Sequence, residues 1–152
     1  MTTEENKAIV RRSVEDVWNQ GNLDMVDQLE ADNSLSHGYL VNPEFGTGPQ
    51  GTKRFVAAYR TAFPDVRMVI EALIAEGDKV AVHWIARGTH QGALLGLPAT
   101  GKEVLTTGTF FYRIADGKIV EVWGDWDRLG FMEQIGGLPA SAQSGGSAAS
   151  QP

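Results

Sequence analysis

Asp125 and Asp127 are interleaved with Trp123 and Trp126 in the run Trp-Gly-Asp-Trp-Asp near the end of the chain. A carboxylate set among aromatic faces is poorly solvated, so it holds its proton more tightly and can act as a general acid or base near neutral pH. Strict alternation puts Glu121, Trp123, Asp125 and Asp127 on one strand face and Val120, Val122 and Trp126 on the other. A bulge at Gly124 would exchange those faces, so the pattern leaves open which aspartate points inward. Asp127 also stands where a residue could N-cap a following helix, and surface carboxylates are the commoner case. His90 follows a strand on the face of Val80, Val82 and Trp84, which predicts a place at a pocket rim. His37 lies on an early strand with few apolar neighbours; either imidazole could polarise a carbonyl. His83 alternates with Val82 and Trp84 and is expected to face away.

The walls of such a pocket would come from Trp18, Phe55, Tyr59, Phe63, Trp84, Phe110, Tyr112 and Trp126. Core and pocket wall draw on the same residue types, so these side chains serve either purpose. Other chemistries find less support. The stretch Gly46-Thr-Gly48-Pro-Gln-Gly51 matches a dinucleotide-binding pattern, but no buried strand precedes it and Pro49 removes an amide from the loop. Gly96 to Lys102 resembles a phosphate-binding loop, yet Glu103 replaces the Ser or Thr that would hold magnesium, and a strand pattern follows where a helix is required. The three histidines lack metal-ligand spacing, cysteine is absent, and there is no Gly-x-Ser-x-Gly elbow. The net charge of -6 with no basic run argues against nucleic acid or an anionic membrane as partner. No signal core or long apolar run occurs, which predicts a soluble, cytoplasmic protein.

The elements that must position these residues follow from periodicity. Thr2 and Glu5 have capping-box spacing, Val10, Val14, Val17 and Trp18 recur at helical intervals, and Gly21 can close the helix. A short helix from Asn22 turns Leu23, Val26 and Leu29 inward, and an extended piece covers Ser34 to Val41. A third helix starts at Pro49, with Phe55, Val56, Tyr59, Ala62 and Phe63 on its apolar face. From residue 66 the period is two, through strands from Val66 to Leu73 and Lys79 to Thr89. A hairpin then joins Glu103–Arg113 to Lys118–Asp127 about Asp116-Gly117. A terminal helix spans Arg128 to Ile135. Helices first and antiparallel strands after predict an α+β fold, with one curved sheet wrapped over the helical layer. Gly88, Gly108 and Gly124 are candidate bulges for that curvature. Residues 1–139 are expected to form a single domain and residues 140–152 a disordered tail or linker, since that tail has no charge and no large apolar residue.

Three segments carry a family resemblance: ENKAIVRRSVEDVWNQGNLDMVDQL, AEGDKVAVHWIARGTHQGALLGLPATGKEV and YRIADGKIVEVWGDWDRLGFMEQIGG. Together they resemble the SnoaL-like polyketide cyclases of the nuclear transport factor 2-like superfamily, in order over residues 5 to 137. The resemblance implies a cone-shaped barrel made by a curved, mostly antiparallel sheet over N-terminal helices, dimeric through its convex face. It also implies an enzyme that needs no metal or cofactor and closes a polyketide ring by intramolecular aldol condensation. An aspartate just ahead of the terminal helix would be the acid/base; Asp127 is the better match and Asp125 the second. The family's His after an acidic residue corresponds to His37, preceded here by Ser36. The implied partner is a hydrophobic or aromatic polyketide. Isomerisation, epoxide hydrolysis through an Asp-Arg-Asp relay, and non-catalytic binding of a small molecule are the alternatives on the same fold.

Overall fold

The computed structural model describes residues 1–38 and 43–138. Helix α1 (Thr3–Arg12) opens with the capping box: the Glu5 amide donates to Thr2 Oγ1 and the Thr2 amide to Glu5 Oε2. The helix then widens into a π-helical stretch, Ser13–Asn19, a rare form often found at functional positions. Arg60 secures its C-terminal end. Its guanidinium donates to the carbonyls of Trp18 (2.6 Å) and Asn19 (3.2 Å). Gly21, in the left-handed conformation at φ +71°, turns the chain into α2 (Met25–Leu29), whose Val26 and Leu29 are buried.

Strand β1 (Glu30–Gly38) follows directly, starting four residues earlier than alternation suggests. Helix α3 (Gly48–Ala62) carries Pro49 in its first turn, as read from the sequence. The remaining strands are β2 (Arg67–Glu76), β3 (Lys79–Thr89), β4 (Glu103–Ala115) and β5 (Lys118–Trp126), followed by α4 (Arg128–Ile135). They form one curved, unclosed sheet in the order β1-β5-β4-β3-β2. Every pairing is antiparallel except β1 with β5.

The bulges fall away from the glycines expected to hold them. Pairing runs uninterrupted through Gly88, Gly108 and Gly124. The register shifts instead between Glu30 and Leu35 in β1, and by one residue at Glu71 in β2 and at Val120 in β5. Each one-residue slip exchanges faces, as a period of two requires. Met68 and Ile70 pack inward before the first slip, Leu73 and Ala75 after it, and Ile74 is left exposed. Gly108 serves another purpose. It pairs with Trp84 on one side and Trp126 on the other, and a Cβ there would lie 2.5 Å from Trp84 Cζ2 and from Trp126 Cβ. The missing side chain is what lets both indoles converge. The sheet's concave face and the helices enclose the main core, centred on Val10, Val14, Val56, Val80, Val82 and Phe110. A second cluster, under α4, holds Phe63, Leu94, Val104, Phe131 and Ile135. The stretch 139–152, expected to be a tail, lies outside the described residues, as does the end of the extended piece at 39–41.

Candidate active site

Two adjoining chambers lie between the concave face of the sheet and the helices. The first comprises about 560 Å³ of space between the side chains, counting the part that is open to solvent. Its walls include Trp18, Phe55, Tyr59, Phe63, Trp84, Phe110 and Trp126, seven of the eight aromatic residues singled out from the sequence. Met68, Val104 and Phe131 complete an almost wholly apolar lining. The rings hold one another edge-on: Trp18 on Phe55 (5.8 Å, 88°), Tyr59 on Trp126 (5.9 Å, 82°) and Trp126 on Phe131 (5.2 Å, 68°). Edge-to-face packing suits the aromatic quadrupole and fixes ring orientation.

Polar groups in this wall are few. The indole N–H groups of Trp84 and Trp126 are buried and have no hydrogen-bond partner among the described residues. A buried donor left unmade costs about 1–3 kcal/mol, so each indole would gain from a carbonyl oxygen brought in by a ligand. Thr106 donates to the carbonyl of Asp127 (3.3 Å). Burial pushes the Tyr59 hydroxyl above its ordinary pKa, so it stays a donor across the neutral range.

The second chamber, of about 610 Å³ and also partly open, shares Trp18, Phe55 and Phe110 with the first. Tyr112, the eighth aromatic, lines this one. Here the lining turns polar, with Ser13, Ser36, Thr52 and the carboxyl of Glu30. Glu30 is 5% exposed. Both Ser34 Oγ and Thr52 Oγ1 (3.0 Å) donate to its Oε1. Burial raises the Glu30 pKa, outweighing the two hydroxyl bonds that lower it; the Asp27 carboxylate adds to the rise. Burial likewise raises Tyr112 strongly, although its bond with Ser13 works the other way. Sequence reasoning missed Glu30. Alternation gave no signal for it: Asp32 in the same series is exposed, and the register is irregular between Glu30 and Leu35.

The proposed catalytic residues sit elsewhere. Asp125 and Asp127 are both exposed, and neither lines a chamber. With pairing intact at Gly124, Glu121, Trp123 and Asp125 fall on the convex face while Val122 and Trp126 face inward. Asp127 N-caps α4, its Oδ1 accepting from the Gly130 amide (2.9 Å), so the water-poor setting expected for these carboxylates is not what surrounds them. His90 is fully buried behind Phe63, on which it stacks at 5.2 Å, rather than standing at a rim. Its Nδ1 meets the Thr100 hydroxyl (3.0 Å) and amide (3.3 Å), and its backbone pairs with Gly101 and Lys102. That ladder closes the loop after β3, which is why the ring is drawn in. His37 lies on the convex face because Ser36 takes the inward place on β1. Its Nε2 pairs with Glu121 (2.7 Å) and its ring stacks on Trp123 (4.9 Å). Arg113 Nε donates to the same Glu121 (3.0 Å), and the two partners together hold that carboxylate below its ordinary pKa. His83 faces outward as expected, against Thr109. Of the arginines a relay would need, Arg113 is on the convex face, whereas Arg87, although exposed, contributes to the lining of the first chamber. No group of three or more His, Asp or Glu capable of holding a metal occurs among the described residues.

Comparison with known proteins fits this architecture. A family model described as SnoaL-like polyketide cyclase matches residues 8–135. The chain belongs to that family. Aklanonic acid methyl ester cyclase DauD of Streptomyces sp. (strain C5) is 35% identical over 131 residues, 84% of this chain and 80% of the relative. Nogalonic acid methyl ester cyclase of Streptomyces nogalater is 32% identical over 126 residues, 78% of this chain and 89% of the relative. Among solved structures, AclR from Streptomyces galilaeus, described as a candidate hydroxylase, superposes with a TM-score of 0.78 at 25% identity, covering 91% of this chain and all of that one. The SnoaL-like fold thus carries differently described activities, and function must be argued from the site.

Proposed function

We propose that this SnoaL-like protein is a cyclase that closes a ring of a polyketide ester by cofactor-independent intramolecular aldol condensation. The observation that carries the reading is the pair of unpartnered indole donors, Trp84 and Trp126, set in an otherwise apolar aromatic chamber. Aromatic walls suit a flat, carbonyl-rich ligand, and two waiting N–H groups suit its oxygens. The chemistry asks little beyond orientation. Flanking carbonyls acidify a methylene, its carbanion carbon attacks a ketone carbon, and the proton removed from the methylene ends on the new hydroxyl. Donors already aimed at the oxygen lower the barrier as charge develops there.

Asp127 enters as the acid/base through its position in the family pattern, directly after the chamber-lining Trp126. Its present duty as a helix cap makes a clean test possible. Asn caps a helix about as well as Asp, so Asp127→Asn should leave the melting temperature nearly unchanged. Turnover of aklanonic or nogalonic acid methyl ester, followed by chromatography, should fall about 10²–10⁴-fold if the carboxylate moves the proton. Wild-type-like turnover in Asp127→Asn would remove it from the mechanism without touching the cyclase reading, whereas no ring closure by the wild type would sink that reading.

Pairing of two copies through the convex face belongs to the same proposal. Leu35, Val69, Leu105 and Phe111 stand 39–55% exposed there, a concentration of apolar surface that association would cover. Light scattering should give twice the chain mass of 16.4 kDa, and Phe111→Glu should return it to one.

A further inference from the structure

The second chamber holds a buried carboxyl for which the aldol scheme has no use. Glu30 is the only Asp or Glu among the described residues that is buried, and it lines a cavity rather than closing a salt bridge. Its Oε1 already accepts two hydroxyl bonds, from Ser34 and Thr52, which hold the carboxyl plane in place. Charged neighbours do not compensate it. Asp27 on α2 repels it, and the nearby Lys53 ammonium is engaged by Asp27 (2.6 Å). Lys118 on β5 donates to the Asp27 carbonyl (3.1 Å). A carboxyl in this setting is stabilised in its neutral form, which carries an O–H and can donate. Tyr112, bonded with Ser13 on the π-helical stretch and lining the same chamber, is a second donor held neutral by burial.

We propose that this chamber is a subsite for the oxygen-bearing end of the ligand, in which Glu30 donates a hydrogen bond to a ketone or phenol oxygen beside Tyr112. Trp18, Phe55 and Phe110 belong to both chambers, so a ligand seated here continues past these three rings into the aromatic chamber, where the indole donors wait. The subsite favours a neutral oxygen: a carboxylate would meet the Asp27 charge that already works against ionisation of Glu30. The cations of α3 and β5, Lys53, Arg54, Arg60 and Lys118, are engaged by Asp27 or by backbone carbonyls. This inference rests on the cyclase reading only for the kind of ligand, an oxygenated polycycle.

The test uses 1,8-dihydroxyanthraquinone as probe and anthracene as its oxygen-free match, with binding read from quenching of tryptophan fluorescence. Glu30→Ala should weaken dihydroxyanthraquinone binding about tenfold, the size expected when a hydrogen bond to a buried oxygen is lost. Glu30→Gln keeps an N–H donor in the same place and should stay within about threefold of the wild type. Anthracene should bind all three proteins alike. If Glu30→Ala folds poorly, Tyr112→Phe should weaken dihydroxyanthraquinone binding severalfold and leave anthracene unchanged, and an unchanged dihydroxyanthraquinone affinity there overturns the subsite. Equal dihydroxyanthraquinone affinity in the wild type and Glu30→Ala overturns the subsite, as does an equal loss for anthracene, which would make Glu30 a packing residue. A wild type that binds neither probe overturns it too. Binding without turnover of the methyl esters leaves the subsite standing and removes only the cyclase reading.

Discussion

The two faces of one sheet handle carboxyl groups in opposite ways. On the convex face, Glu121 is held charged between His37 and Arg113, with Trp123 stacked against the imidazole. On the concave face, Glu30 is buried without a cation, its two bonding partners are hydroxyls, and burial favours its proton. The outer cluster looks more like catalytic machinery, with histidine, acid and arginine within hydrogen-bond reach. It faces away from both cavities. The inner acid looks like a solvated residue in the sequence and is the one that meets a cavity. Density of reactive side chains is therefore a poor guide to a site; solvation and enclosure decide it.

That contrast can be attacked from several sides. The largest effect is expected at Gly108→Val, which forces a side chain between Trp84 and Trp126. Overpacking should cost about 1–3 kcal/mol in a denaturant titration, together with loss of dihydroxyanthraquinone binding. Unchanged stability would show that the indoles yield easily and that the inner wall is not fixed. Trp84→Phe comes next. It deletes an unsatisfied donor while keeping a ring, so folding stability should move by no more than about 1.5 kcal/mol, with affinity for a carbonyl-bearing ligand falling severalfold. A variant that binds as well as the wild type would take that indole out of recognition.

A pH series sharpens the comparison further. Glu30 holds its proton more tightly folded than unfolded, so the native state carries more protons than the unfolded state above the ordinary glutamate value of 4.5. Its contribution to stability is thus undiminished below that value and declines as the pH rises past it. Glu30→Gln removes this slope, and its stability relative to wild type should climb between pH 4 and pH 8 in urea titrations. Glu121 has the reverse sign: its depressed pKa gives stability above pH 4.5 that is lost as the pH falls. The smallest effect belongs to Glu121→Gln, whose exposed partners are screened by salt. Turnover in that variant should stay within about twofold of the wild type, because the convex cluster touches no chamber. A tenfold loss would move the chemistry to the other side of the sheet.

Much of this architecture is legible in the residues. The capping box at Thr2 and Glu5, Gly21, Pro49 and the Asp116-Gly117 turn each mark a boundary through local backbone chemistry, and each appears where it was read. Seven aromatics read as pocket wall line the first chamber because bulky apolar side chains have nowhere else to be buried. What escaped is set by long-range pairing. The slips at Glu71 and Val120 leave no compositional mark, since neither is glycine. The same holds for the site: whether Asp127 reaches a cavity depends on register at Gly124, and the burial of Glu30 depends on a parallel neighbour almost ninety residues away in sequence.

That parallel neighbour has a consequence for biogenesis. The first strand of the chain, with Glu30 at its head, finds its hydrogen-bonding partner only in β5, the last strand made. On a ribosome it must wait, amides unmet, until residues 118–126 have cleared the exit tunnel. Closing a loop that long is slow compared with zipping the β2–β3–β4 meander. A nascent chain stopped just before Lys118 would hold the β2–β3–β4 meander and three helices but no floor for its ligand, so the binding cavity is the last part of this molecule to come into existence.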